Sequence, residues 1–118
     1  AHNFERNPAR SPAMVELQRW LPDNLRADLS VPALAARVAM SERHFARVFP
    51  REIGMTPAAF LEGLRVEAAR RLLGSTDLTV TAVAADVGIR HAETLHRAFR
   101  QRLGTTPDHY RQHFARAS

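Results

Sequence analysis

From Pro12 onward, apolar residues recur at helical spacing. Met14, Leu17, Leu21 and Leu25 advance by three and four residues, one face of a helix with a period of about 3.6. Pro22 falls inside that series and removes a backbone bond to residue 18, so the pattern predicts a kink or an early end there. Ser30 can cap the next helix, with Pro32 in its first turn, and Ser41 the one after, which runs to the natural stop at Gly54. Thr56-Pro57 opens a long helix through Leu73, stopped by Gly74, in which Phe60, Leu64, Ala68 and Leu72 repeat every four residues. Such a helix spans roughly 25 Å. Thr79 caps Val80 to Val87, Gly88 turns the chain, a further helix ends at Gly104, and Thr106-Pro107 opens the last one, through Phe114. Ahead of all this, residues 1–11 hold one large apolar side chain, Phe4, and read as a linker or flexible arm. No alternating pattern competes, and the chain is predicted to be all-α.

The pattern also repeats itself. Val31-Pro-Ala-Leu-Ala-Ala-Arg-Val38 lies over Val80-Thr-Ala-Val-Ala-Ala-Asp-Val87 at an offset of 49. Phe45-Ala-Arg-Val-Phe49 then lies over Leu95-His-Arg-Ala-Phe99, and Ile53-Gly-Met-Thr-Pro57 over Leu103-Gly-Thr-Thr-Pro107, at an offset of 50. Phe60 falls over Tyr110. The change of offset puts one extra residue in the second copy between Gly88 and His91, where a turn tolerates it. Each copy is a short Ala-rich helix, a tight turn and a second helix. Ala35, Ala36, Ala84 and Ala85 let two helices approach closely, which is the helix-turn-helix arrangement. Two helical hairpins in a bundle without any nucleic-acid role would give the same repeat.

Charge changes that balance. The chain carries 17 basic residues against 12 acidic, a formal net charge of +5, so an anionic partner is expected. Every basic residue is Arg, whose planar fork suits phosphates and guanine edges. In the first copy Phe45, Phe49 and Ile53 are spaced to face the core. Arg47 lies about 200° around the helix from Phe45 and points outward, and Arg43, Arg47 and Arg51 form an outward stripe. The second copy repeats this, with Leu95, Phe99 and Leu103 inward and His96, Arg97 and Arg100 outward. A solvated face of mixed charge remains the alternative.

Other chemistries find little support. An apolar fraction of 45% argues against disorder, and zero cysteines exclude disulfides, Cys-ligated zinc and a thiol nucleophile. His109 and His113 stand four apart but lack an HExxH context and read as a surface pair. Neither a Gly-x-Ser-x-Gly elbow nor a phosphate-cradling loop is present, so neither an enzyme nor a metal or cofactor site is expected. There is no membrane-length apolar run and no signal peptide, which leaves a cytoplasmic protein. Because it begins at Ala1 rather than Met, the chain reads as a piece of something longer.

Phe99-x4-Gly104-x-Thr-Pro107-x2-Tyr-Arg111 resembles the C-terminal signature of the AraC/XylS family of bacterial transcription regulators. Leu34-Ala35, Arg47-x-Phe49, Gly54-x-Thr-Pro57, Arg65-x3-Ala69-x2-Leu72-Leu73 and Ala84-x3-Gly88 match the same family, so the resemblance runs from Leu17 to Phe114. The run Gly54 to Phe60 is similar to members that carry an N-terminal DJ-1/PfpI amidotransferase-like domain. The resemblance implies seven helices forming two helix-turn-helix subdomains, about 30–54 and 79–104, joined by a linker helix, about 57–73, and closed by a final helix, about 107–115. It implies sequence-specific binding of double-stranded DNA, with recognition helices in successive major-groove segments ~34 Å apart. By carry-over, the base-reading residues are Arg43, Ala46 and Arg47 in the first copy and Ala92, Glu93, His96 and Arg97 in the second. Arg43 and Arg47 suit guanine O6 and N7, Ala46 a thymine methyl and Glu93 a cytosine amine; an ion pair with Arg97 is the rival role for Glu93. Arg51, Arg100, Arg102, His91 and the helix starts at Ser30 and Thr79 suit phosphates.

The resemblance further implies RNA polymerase as a partner, action at the bacterial nucleoid, and an effector-sensing or dimerisation domain outside this chain. A helical protein-interaction module is the alternative. Four positions depart from the family pattern: Pro50 replaces a basic residue, Ile89 replaces Phe, and Arg90 and His91 are poor N-caps.

Overall fold

The computed structural model describes residues 11–115, with side chains through 113, and among these residues there is no strand. Its seven α-helices are α1 (Pro12–Trp20), α2 (Val31–Arg37), α3 (Glu42–Ile53), α4 (Pro57–Ser75), α5 (Val80–Asp86), α6 (Ala92–Leu103) and α7 (Pro107–Tyr110). The chain divides into two compact units. One takes the described residues up to Asp23 together with Asp28–Phe60, and the other takes Asn24–Ala27 and the chain from Leu61 on. The arm expected over 1–11 lies outside the described residues except for Ser11.

In the first unit, Ser11 caps α1 by accepting the Met14 N–H at 3.4 Å, while its own N–H donates to Glu52 Oε1 at 2.8 Å. That contact ties the start of α1 to the end of α3. The helix stops at Trp20, and Leu21–Asp23 tightens into a 3-10 turn, the early end that Pro22 predicts. Met14, Leu17, Leu21, Leu29, Leu34, Ala35, Phe45, Val48 and Phe49 form the core. Phe49 packs edge-on against Phe60, with ring centroids 5.7 Å apart. The Arg37 guanidinium lies 3.6 Å over the Trp20 ring, a cation–π contact.

The second unit is held by arginines that reach far along the chain. Arg65 Nη2 donates to the Leu25 carbonyl at 3.0 Å, which docks the 24–27 segment. Burial pushes the Arg65 guanidinium below its ordinary pKa, and its Nε is buried without a hydrogen-bond partner. The last carbonyls of α4 run short of helical donors, with the Thr76 N–H closing on Leu72 O at 3.0 Å. Ser75 Oγ donates to Arg71 O at 2.8 Å, Thr76 Oγ1 to Leu72 O at 2.7 Å, and Arg111 Nε to Leu73 O at 3.2 Å. These contacts carry the helix past Gly74 to Ser75. Arg70 pairs with Glu67 and donates to the Tyr110 hydroxyl at 3.0 Å. Tyr110 in turn packs edge-on against Phe99 at 5.7 Å, repeating the Phe49–Phe60 contact of the first unit. Beyond Tyr110 the chain widens into a π turn over Arg111–Ala115, so the last α-helix is shorter than expected.

Three burial expectations change. Leu103 is 41% exposed and Ile53 is only half-buried, because each sits in the final turn before a left-handed glycine, where the helix has run past its core. In α4 the buried residues are Leu61, Val66, Ala69 and Leu73, whereas Phe60, Leu64, Ala68 and Leu72 are half-buried. Phe60 serves the first unit through Phe49, and the next residue, Leu61, begins the contribution to the second.

Candidate nucleic-acid interface

The turn between the paired helices is built the same way in both units. In the first, Ala39 is left-handed at φ 58°, Ala39 N–H donates to Ala36 O at 3.1 Å and Met40 N–H reaches back to Ala35 O at 2.9 Å. In the second, Gly88 takes that position at φ 87°, with Gly88 N–H to Ala85 O at 3.1 Å and Ile89 N–H to Ala84 O at 2.8 Å. Both are Schellman turns. Past the turn the units diverge: Ser41 follows Met40 directly and caps α3, accepting the His44 N–H at 3.1 Å. After Ile89, Arg90 intervenes, and α6 starts at His91 with no side-chain cap bond. The extra residue is therefore Arg90, and the weak start expected at residues 90 and 91 is present.

Both second helices bury one face and expose the other. In α3, Phe45, Val48 and Phe49 are buried, whereas Arg43, Ala46, Arg47 and Arg51 are exposed. In α6, Leu95, Ala98 and Phe99 are buried; Glu93, Arg97, Arg100 and Arg102 are exposed, with Ala92 and His96 half-buried. Pro50 lies within α3 without ending it, although it offers no N–H to the Ala46 carbonyl.

Three partners change the picture of individual site residues. His44 Nδ1 lies 2.9 Å from Arg47 Nη2. Glu62 Oε1 accepts from Arg102 Nε at 2.9 Å, which ties α6 to α4 and engages an arginine expected at a phosphate. Asp28 Oδ1 accepts the Ser30 N–H at 3.0 Å, and this bond lowers the Asp28 pKa; a carboxylate thus occupies the start of α2. Pro32 also has no N–H to offer there, where α5 has Thr81. The Ser30 and Thr79 hydroxyls accept from Ala33 and Ala82 N–H at 3.4 and 3.0 Å. Among the described residues, no ion pair joins Glu93 to Arg97. Of the three partners, His44 could have been found in the sequence from its i, i+3 spacing to Arg47. Glu62, 40 residues from Arg102, leaves no such signal.

Among the described residues no cluster of three or more His, Asp or Glu side chains could hold a metal ion, and no helix is long and apolar enough to cross a membrane. Residues 34–113 match the helix-turn-helix domain family. The chain belongs to the AraC-type helix-turn-helix family. This AraC-type domain is 52% identical over 82 residues to the HTH-type transcriptional regulator Rv1931c of Mycobacterium tuberculosis, an alignment covering 70% of this chain and 32% of that protein. It is 38% identical over 108 residues to the transcriptional activator NphR of Rhodococcus, covering 91% of this chain and 32% of the relative. Among solved structures, the DNA-binding domain of AdpA, the global transcriptional factor, in complex with a target DNA matches with a TM-score of 0.85 and 36% identity, covering 91% of this chain and 96% of that one. The AraC-type domain described here thus spans about a third of the length of the curated relatives it matches. Its family and fold are those of DNA-binding transcription regulators, not of enzymes.

Proposed function

We propose that the chain is the sequence-reading part of a bacterial transcription regulator, with residues 12–118 as its DNA-binding domain and 1–11 as an arm. The helices α3 and α6 each enter a major-groove segment of double-stranded DNA. Arg43, Ala46 and Arg47 read bases from the first unit, and Ala92, Glu93, His96 and Arg97 from the second. Arg51, Arg100, His91 and the helix starts at Ser30 and Thr79 contact phosphates. Arg102 joins them from beside Glu62, which already takes its Nε hydrogen, and Asp28 opposes an anion beside Ser30. The observation carrying this reading is one of register. Arg47 and Arg97 occupy the same position in the two repeats, and both are exposed, opposite the buried Phe45 and Leu95.

The longer protein would act at the nucleoid in the cytoplasm and engage RNA polymerase, as fits a relative named an activator. The remaining two thirds of such relatives leave room for an effector-sensing or dimerisation domain, of amidotransferase-like type on the strength of the Gly54–Phe60 run.

Selection of bound sites from a random duplex library tests the proposal. Arg47→Ala and Arg97→Ala should each relax preference at a separate base pair, a guanine contact being worth ~1–3 kcal/mol of discrimination. A helical protein-interaction module would select no site and would show little salt-sensitive retention on heparin.

A further inference from the structure

The two repeats differ at the residue three positions before the shared arginine. In α3 this is His44, whose Nδ1 lies 2.9 Å from Arg47 Nη2. Guanidinium nitrogens only donate, so Nδ1 must be the acceptor, which places the ring proton of the neutral imidazole on Nε2. The His44 backbone is itself fixed by the Ser41 cap at 3.1 Å. This grip uses one hydrogen of Nη2 and leaves the other guanidinium hydrogens for a two-pronged base contact. In α6 the equivalent positions hold Thr94 and Arg97. Among the described residues, no side-chain hydrogen bond or ion pair holds Arg97.

An arginine loses rotamer freedom when it docks on a base, and prior restraint removes part of that cost. A restrained guanidinium also tolerates a misplaced acceptor less well than one free to swing. We infer that His44 is a positioning residue for base reading by α3, and that the two recognition helices discriminate unequally, the site under α3 being read more strictly. This inference rests on the DNA reading proposed above.

The test uses the 118-residue chain, a duplex recovered by site selection, and the same duplex altered at one base pair at a time. Arg47→Ala and Arg97→Ala first identify the pair each arginine reads. His44→Ala should then narrow the matched-to-altered affinity ratio at the Arg47 pair by about three- to ten-fold, with thermal unfolding and affinity for unrelated duplex unchanged. His44→Asn, whose side-chain oxygen can accept in place of Nδ1, should restore the ratio, which loss of bulk alone would not do. The unaltered chain should show a larger ratio at the Arg47 pair than at the Arg97 pair. If Arg47→Ala narrows the ratio and His44→Ala does not, the positioning role is overturned while base reading stands. Equal ratios at the two pairs overturn the asymmetry. If Arg47→Ala alters no ratio, base reading by α3 fails, and the role of His44 with it.

Discussion

Gly88→Ala should be far more destabilising than the same change at Gly54, although both glycines have positive φ, 87° and 93° respectively. At either position an L side chain in the left-handed region costs about 1–2 kcal/mol. At Gly54 a new Cβ meets nothing within 4 Å, so that strain is the whole effect. At Gly88 the Cβ would stand 2.0 Å from the Leu25 carbonyl oxygen and 2.9 Å from its carbon, so the backbone of the 24–27 segment must retreat by about an ångström. The Arg65 bond to that same carbonyl, 3.0 Å long, would stretch beyond hydrogen-bonding range. A bond to a charged donor contributes about 1.5–3 kcal/mol. The total is about 2.5–5 kcal/mol, a large share of the 5–15 kcal/mol typical of a domain. Urea titration followed by circular dichroism measures it, with Gly54→Ala as the control that isolates backbone strain. Equal losses for the two variants would refute the clash and leave Gly88 explained by its φ alone.

At the matching turn of the first unit, Ala39 already bears the left-handed strain at φ 58°. Ala39→Gly should stabilise by about 0.5–1 kcal/mol, the strain relieved less the added chain entropy of glycine, measured in the same titration. Arg100→Ala should weaken binding to all duplexes alike and lower the salt slope by about one unit, read from affinities at several ionic strengths; an unchanged slope removes Arg100 from the phosphate contacts. Arg70 holds the Glu67 carboxyl below its ordinary value of 4.5, chiefly through their hydrogen bond. A carboxylate with a depressed folded-state pKa stabilises above its unfolded value and loses that contribution as pH falls through the folded one. Stability should therefore decline below pH about 4.5, and Glu67→Gln should flatten that decline in thermal melts taken across the acid range.

Local signals made the helices legible. Ser30, Ser41, Thr79 and Thr106 each accept the N–H three residues on, and Gly54, Gly88 and Gly104 are left-handed; in each case the residue type alone carries the geometry. The break in the repeat's offset placed the extra residue between Gly88 and His91, because insertion shifts register without altering the pattern on either side; the two turns then single out Arg90. The outward faces of α3 and α6 followed from the positions of Phe45 and Leu95. Less visible were the partners of the arginines. Arg65, Arg70, Arg102 and Arg111 reach groups 35 to 40 residues away, and nothing local distinguishes them from arginines that face solvent. Residue type alone sets Arg102 among the candidate phosphate contacts, while its Nε donates to Glu62.

The bare start of α6 has its own consequence. At Ser41 a side-chain hydroxyl satisfies the His44 amide, one of the four amides that a helix start leaves without helical partners. At His91 no side chain supplies a cap, and the Thr94 amide turns back instead to the His91 carbonyl at 3.0 Å. A missing side-chain cap costs a helix about 0.5–2 kcal/mol, so the second recognition helix is the one whose first turn opens more cheaply.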